Sequence, residues 1–287
     1  MTYLSEEIAS QPSTWARALE VPATGLPADG ERVAVIGCGT SYYMAQSYAA
    51  LREAAGHGET DAFAASEFPA TRRYDRVVAL TRSGTTTEVL EALTRATTPT
   101  VAITADRATP VSGAADAVIT LDFADERSVV QTRFATTALV LLRASLNEQL
   151  TGLAAEAAAE LTTDLPAELL DAGQWTFLGT GWTIGLANEA ALKLREATQS
   201  WTESYYAMEY RHGPISIAAP GRVVWIFGDA PDGLVDQVRR TGAYVEHATT
   251  DPLVSLVRAH RVAEAVAGAR GLDPDRPRNL DRSVILA

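Results

Sequence analysis

Apolar residues along this chain fall in short unbroken runs, each closed by a turn of glycine or hydroxyl residues and followed by helical spacing. The first run is Val33-Ala34-Val35-Ile36, closed by Gly37-Cys38-Gly39-Thr40-Ser41, with a helical pattern from about Tyr42 to Ala55. A run without polar alternation predicts a strand buried on both faces, and strand, turn and helix in succession build a doubly wound parallel sheet. The unit recurs: Arg76–Leu80 predicts a strand, Thr81–Thr86 its turn, and Thr87 to about Ala96 a helix. Thr100–Thr104 and Ala117–Leu121 predict further strands around loop and short helix at Asp106–Asp116. An apolar helix is expected over about Thr132–Leu150, then a helical connector over Leu153–Leu170 with Pro166 opening its last part. At the front, residues 3–20 read as a helix interrupted near Pro12, and Val21–Glu31 as loop.

At Trp175 the pattern restarts, with a strand at Trp175–Leu178, the turn Gly179-Thr180-Gly181-Trp182-Thr183 and a helix at Ile184–Arg195. A shift of 142 residues puts Ile36 on Leu178, Gly37 on Gly179, Gly39 on Gly181 and Ser41 on Thr183. Any two such units share some likeness; here each copy also opens its own series of strands and helices, which favours a true internal repeat. The expected class is α/β, with two doubly wound subdomains. The expected segments are a lead-in at 1–30, a first subdomain at 31–152, a connector at 153–172, a second subdomain at 173–270 and a tail at 271–287.

The turn after the second strand carries candidate chemistry. Thr81-Arg82-Ser83-Gly84-Thr85-Thr86-Thr87 offers five hydroxyls in seven residues where a helix begins. Free amides at a helix N-terminus, its dipole and donating hydroxyls together suit a phosphate monoester. An ordinary N-cap in a threonine-rich turn is the bland alternative, which a single hydroxyl would favour. In the second half the corresponding strand, Val223–Phe227, runs into Gly228-Asp229-Ala230-Pro231, where Asp229 repels phosphate. Tyr42 stands where a dinucleotide fingerprint has its third glycine, and no Walker-type Gly-Lys-Ser/Thr follows.

Composition narrows the class. With 287 residues, 47% hydrophobic, the chain holds enough material for a packed globular fold. A net charge of −12 argues against a nucleic-acid surface. The single cysteine, Cys38, builds no internal disulfide, and the first residues lack the basic and apolar regions of a signal peptide. No run is long enough to span a bilayer, so a cytoplasmic location is expected. No cluster has metal-ligand spacing, no Gly-x-Ser-x-Gly elbow is present, and no cofactor is expected.

Glu189, Lys193 and Glu196 recur at spacings of four and three and share a helix face. Alone, Glu189 and Lys193 read as a solvated ion pair. An aromatic-rich stretch follows, ending in Glu209-Tyr210-Arg211-His212-Gly213-Pro214, where Gly-Pro holds the histidine on a rigid corner. His57, His247 and His260 lack such company and read as surface residues. Cys38 reads as a small packing residue rather than a nucleophile.

These residues carry a resemblance. Cys38-Gly39-Thr40-Ser41, Ser83-Gly84 with Thr86, Glu189…Lys193…Glu196 through His212-Gly213-Pro214, and Pro277-Arg278-Asn279-Leu280, with a smaller match at Ser66-Glu67-Phe68, occur in the order of the sugar isomerase (SIS) family. The chain most resembles the isomerase domain of glucosamine-6-phosphate synthase. The resemblance implies that Cys38, Gly39, Thr40, Ser41, Thr81, Arg82, Ser83 and Thr86 bind the sugar phosphate, with Arg82 a cation beside it. Gln131 would line the hexose pocket. Glu196 would move the C2 proton of the open-chain sugar, Lys193 would position the site, and His212, supplied across a homodimer, would assist ring opening. The family's imine-forming lysine falls on Arg282, and arginine forms no Schiff base. The synthase's glutaminase domain is absent from this sequence, so amide transfer is not expected.

The expected substrate is a 2-acetamido- or 2-amino-hexose 6-phosphate, with N-acetylglucosamine 6-phosphate favoured because no imine is available. Dehydration is placed slightly ahead of aldose–ketose isomerisation. The alternatives are a glucosamine-6-phosphate deaminase or isomerase and a non-catalytic sugar-phosphate sensor. No helix-turn-helix domain, a sensor's usual companion, precedes residue 33.

Overall fold

The computed structural model describes residues 2–69 and 71–286; Met1 and Ala287, the outer ends of the expected first and last segments, and Ala70 lie outside the described residues. Thr2 caps the first helix, α1 (Tyr3–Ala18), by accepting from the Ser5 amide at 3.1 Å. The helix runs unbroken through Pro12, contrary to the expected interruption. Proline leaves the Ile8 carbonyl without its helical donor, and the Gln11 side chain reaches back to it at 3.5 Å.

The first half then alternates β1 (Val33–Gly37), α2 (Thr40–Ala54), β2 (Thr60–Ala64), β3 (Arg76–Leu80), α3 (Thr87–Arg95), β4 (Thr100–Thr104), α4 (Val111–Ala114) and β5 (Ala117–Thr120). These strands form one parallel sheet in the order β2-β1-β3-β4-β5. α5 (Arg133–Ser145) ends five residues short of the expected Leu150, because Asn147 turns into the left-handed region at φ 61°. The connector is two short helices, α6 (Leu153–Glu160) and α7 (Ala167–Leu170), the second opening directly after Pro166.

The second half repeats the scheme with β6 (Gln174–Gly179), α8 (Thr183–Thr198), β7 (Thr202–Tyr206), β8 (Arg222–Phe227), α9 (Leu234–Arg239), β9 (Tyr244–Glu246) and α10 (Pro252–Ala269). Its parallel sheet has the order β7-β6-β8-β9, the same winding as β2-β1-β3-β4. The two copies meet through α2 and α8. Asn188 donates to the Gln46 side chain at 2.8 Å, and these residues are themselves 142 apart, so a local twofold passes between them. Gly185 permits the approach: a Cβ there would lie 2.3 Å from the Tyr43 carbonyl oxygen and 2.2 Å from Ser47 Oγ.

One large core joins the halves, running from Leu4 and Trp15 through Val33 and Met44 to Trp175, Phe227 and Leu256. Smaller clusters cover the outer sheet faces around Phe68 with Val89, and around Tyr210 with Leu234. Among the described residues no helix is long and apolar enough to cross a membrane.

Candidate active site

The carboxyl ends of β1 and β3, where the strand order turns from one direction to the other, open on a common crevice. The turn after β3 is tightly built. Thr81 Oγ1 accepts from the Gly84 amide at 3.2 Å, Ser83 Oγ accepts from the Thr85 amide at 3.3 Å, and Ser83 Oγ meets Thr86 Oγ1 at 3.5 Å. Gly84 has φ +63°, and a Cβ there would lie 2.0 Å from Thr109 Oγ1. Thr86 is the N-cap of α3 and makes no side-chain capping bond, so its hydroxyl is free to face the crevice.

The opposite wall comes from α2 and α8. Lys193, buried at 1% exposure, donates to Thr40 Oγ1 at 2.9 Å and Glu196 Oε2 at 2.5 Å, with Glu189 Oε1 at 3.6 Å. It thus ties the two halves of the chain together at the site. Burial opposes its charge, but Glu189 and Glu196 more than offset this and hold its pKa above the ordinary lysine value. Burial pushes the Glu189 carboxyl up to about 7, with Lys193 acting against the shift and Glu196 adding to it. Glu189 is therefore no solvated ion-pair partner: it is 1% exposed, and both its oxygens lack hydrogen-bond partners.

Thr86, Gln131, Lys193, Glu196, Cys38 and Arg282 line one cavity of about 240 Å³, with Gly39 and Thr40 also on its wall. A pocket of about 30 Å³ adjoins it, lined by Ser41, Thr81, Arg82 and Ser83, and shares Cys38, Thr86, Gln131 and Arg282 with it. Gln131 Oε1 is buried there without a partner. The C-terminal segment closes the crevice: Thr85 Oγ1 donates to Ser283 Oγ at 3.0 Å, and the Thr87 amide donates to the Val284 carbonyl at 3.2 Å.

Four of the residues named from the sequence take places that spacing alone does not give. Arg82 lines the small pocket, but its terminal nitrogens donate to the carbonyls of Ser128 at 3.0 Å and Arg282 at 2.8 Å. Its first task is to tie the turn to the neighbouring loop and tail rather than to stand free beside a phosphate. Arg282 donates to the Glu126 carbonyl and to Asp125 Oδ1, so its guanidinium is anchored at the rim. His212 lies in the short turn Glu209–His212, exposed and outside the cavity of its own chain. His260, read as a surface residue, is 1% exposed and accepts at Nδ1 from Gln11.

Cys38 has its thiol pushed up to about 11 by burial and then by nearby Glu88, which leaves it protonated and poorly nucleophilic at neutral pH. In the loop after β5, sequence reasoning named Gln131 but overlooked Glu126. Glu126 holds the loop by accepting from the Thr132 and Arg133 amides, both at 2.6 Å. Nothing in the local sequence marks this glutamate as buried. A larger cavity, about 560 Å³, lies at the matching end of the second sheet, but Glu148, Asp229 and Asp251 line it and its Arg143 is held by Glu148 and Asp251. That acidic lining disfavours a phosphate there.

A family model described as SIS domain matches residues 28–147. Residues 28–147 are a SIS domain. Among curated relatives, a glutamine–fructose-6-phosphate aminotransferase (isomerizing) of Sulfurisphaera tokodaii is 26% identical over 89% of this chain and 50% of its own length. The chain thus spans about half the length of that relative. Glucosamine-6-phosphate deaminase from Thermotoga maritima matches 99% of this chain and 100% of its own at TM-score 0.79 and 23% identity. Tagatose-6-phosphate ketose/aldose isomerase from Escherichia coli matches 100% of this chain and 96% of its own at TM-score 0.82 and 19% identity. These likenesses extend the SIS fold across both halves, in keeping with the repeated sheet order.

Proposed function

We propose that this chain is a SIS enzyme acting on a 2-acetamido- or 2-amino-hexose 6-phosphate, with N-acetylglucosamine 6-phosphate the favoured substrate. One observation carries the reading: Glu196 and the hydroxyl-rich turn at Thr81–Thr86 border one continuous crevice, with Lys193 between the halves. The names of the relatives, phosphosugar aminotransferase, deaminase and isomerase, favour the same substrate class.

In this reading Ser41, Thr81, Ser83, Thr86 and the amides opening α3 hold the 6-phosphate, and Gln131 contacts the sugar. Ring opening exposes an aldehyde at C1 and acidifies the C2 hydrogen. The Glu196 carboxylate takes that proton, and the electron pair of the C–H bond moves into the enolate, whose charge the Lys193 ammonium stabilises. The C3 hydroxyl then leaves as water, taking the proton from Glu196, to give an unsaturated sugar; if Glu196 returns the proton to C1 instead, a C2 imine forms, which water hydrolyses to the ketose with release of the nitrogen as ammonia or, from the acetamido sugar, acetamide. Elimination is the favoured outcome, since Arg282 provides no amine for an imine and an acetamido nitrogen does not leave as ammonia. His212 of a second copy of this chain would assist ring opening, a cytoplasmic homodimer being the expected form.

Incubation of the purified protein with N-acetylglucosamine 6-phosphate and with glucosamine 6-phosphate tests the reading. A product lighter by one water supports elimination; from N-acetylglucosamine 6-phosphate, a ketose 6-phosphate formed with an equal amount of acetamide supports isomerisation. Ammonia release from glucosamine 6-phosphate supports the second reading, a deaminase, which the likeness to the Thermotoga maritima structure favours. Binding of both sugars without turnover of either would leave a sensor.

A further inference from the structure

The hydroxyl-rich turn and the start of α3 already hold a partner from their own chain. Beyond Asp281 the tail crosses the crevice, with Arg282, Ser283 and Val284 on the wall of the larger cavity and Arg282 also on that of the smaller. The Thr87 amide, first N–H of α3, donates to the Val284 carbonyl at 3.2 Å. Thr85 Oγ1 donates to Ser283 Oγ at 3.0 Å, and Thr87 Oγ1 accepts from the Leu286 amide at 2.9 Å. Two further amides of the turn face inward, Gly84 serving Thr81 and Thr85 serving Ser83. The Thr87 amide and the Thr85 hydroxyl, donors that an anion at this helix start would use, are thus engaged by the tail.

A carbonyl oxygen makes a neutral hydrogen bond there. A phosphate on the same donors makes charge-assisted bonds, about twice as strong, and gains from the helix dipole. The single Thr87 N–H cannot serve both well.

The tail is also held lightly at its end. Among the described residues it has no helix or strand after α10. Val284, Ile285 and Leu286 are 55%, 67% and 61% exposed, so lifting them away uncovers little apolar surface. The firm anchor lies just before them. Arg282 is fastened through its guanidinium to Asp125 and the Glu126 carbonyl, and through its own carbonyl to Arg82. The segment therefore has a fixed point at Arg282 and a releasable end at 283–286.

We propose that residues 283–286 compete with phosphate for the start of α3, so that a phosphosugar must displace them to seat its phosphate. The proposal rests on the sugar-phosphate reading of the crevice and adds its regulation, affinity being set by release of the tail. A strap that closes over bound sugar behaves oppositely, since phosphate tightens it. The two differ in sign.

Inorganic phosphate is the probe, because it calls only on the turn and the helix start. Linkage requires phosphate to loosen the tail by the factor by which the tail weakens phosphate. Saturating phosphate is expected to quicken hydrogen exchange of residues 283–286 in the wild type by about tenfold. Ser283→Ala combined with Leu286→Pro removes the acceptor for Thr85 and the donor to Thr87 while leaving the chain end in place. This double variant is expected to bind phosphate about tenfold more tightly in calorimetric titration, with Tm within about 2 °C of the wild type. Thr87→Pro tests the contact from the other side. Proline suits the first helical position after the extended Thr86, and it lacks both the N–H and the hydroxyl that hold the tail. Exchange of 283–286 in that variant should be fast without phosphate and change little on its addition.

Tail exchange that slows with phosphate, or stays unchanged while phosphate binds, overturns the proposal. A double variant that binds phosphate no more tightly than the wild type does so too. If wild type and double variant alike bind neither phosphate nor N-acetylglucosamine 6-phosphate, the sugar-phosphate site itself falls, and the competition with it.

Discussion

Glu196 and the turn at Thr81–Thr86 face the same crevice, and the proposed function gives them different work, which substitution separates. Glu196→Gln keeps shape and hydrogen bonding to Lys193 while removing the proton acceptor. Turnover is expected to fall by about 10²–10⁴-fold, with phosphosugar affinity changed less than about threefold. Ser83→Ala combined with Thr86→Ala takes away hydroxyls that, on the proposed function, hold the phosphate in ground and transition states alike. It is expected to raise KM by roughly 10–100-fold and leave kcat within about threefold. Steady-state kinetics with calorimetric titration of the same phosphosugar checks both, and a Glu196→Gln enzyme turning over at wild-type rate would remove the carboxylate from the mechanism.

The contact between α2 and α8 makes the site a property of both halves, because it sets Lys193 of one beside Thr40 of the other. Gly185→Ala would drive a methyl into the Tyr43 carbonyl and Ser47, and backbone atoms there cannot rotate away. A cost of about 3 kcal/mol is expected, lowering Tm by roughly 6–12 °C, together with a loss of activity larger than a surface Gly→Ala causes. Thermal unfolding and activity of the variant check this. The central strands β1, β3, β4, β6 and β8 were legible in the sequence because burial on both faces demands apolar runs. The edge strands β2 and β7 were not: Thr60–Ala64 and Thr202–Tyr206 are half-exposed, carry Asp61 and Glu203, and look like loop. The site divides in the same way. Turns at strand ends announce themselves locally, whereas Glu7 reaches Arg127 and Ser128 across some 120 residues of chain, and no local pattern encodes that.

Buried ionisable groups across the molecule also fix how its stability answers to pH. Burial above all raises the pKa of Glu7 and Glu189 from 4.5 to about 7, aided by Glu126 at Glu7 and opposed by Lys193 at Glu189. Between those values the folded state holds protons that the unfolded chain releases, so both lose stability as pH rises through that window and lose no more above it. His260 runs the other way: burial, then Lys193, lowers it from 6.5 to about 3. There the unfolded chain takes up a proton the folded state refuses, so stability falls as pH drops below 6.5. Glu31, held low mainly by its hydrogen bond to Arg76, adds to the acid-side loss below 4.5. From 4.5 to 6.5 Glu7 and Glu189, joined by Glu246, whose carboxyl burial also raises, favour the acid side against His260, and below 4.5 only the opposing groups remain, so maximum stability is expected near pH 5. Gln at position 260 keeps an acceptor for Gln11 but cannot be protonated. His260→Gln is therefore expected to retain about 3 kcal/mol at pH 4 that the wild type loses, seen as roughly 6–12 °C in Tm, with little difference at pH 8. Thermal unfolding of both proteins from pH 4 to 8 decides the matter. Parallel curves would mean that His260 is reached by water and protons in the folded state, and the acid limb would then belong to the carboxylates alone.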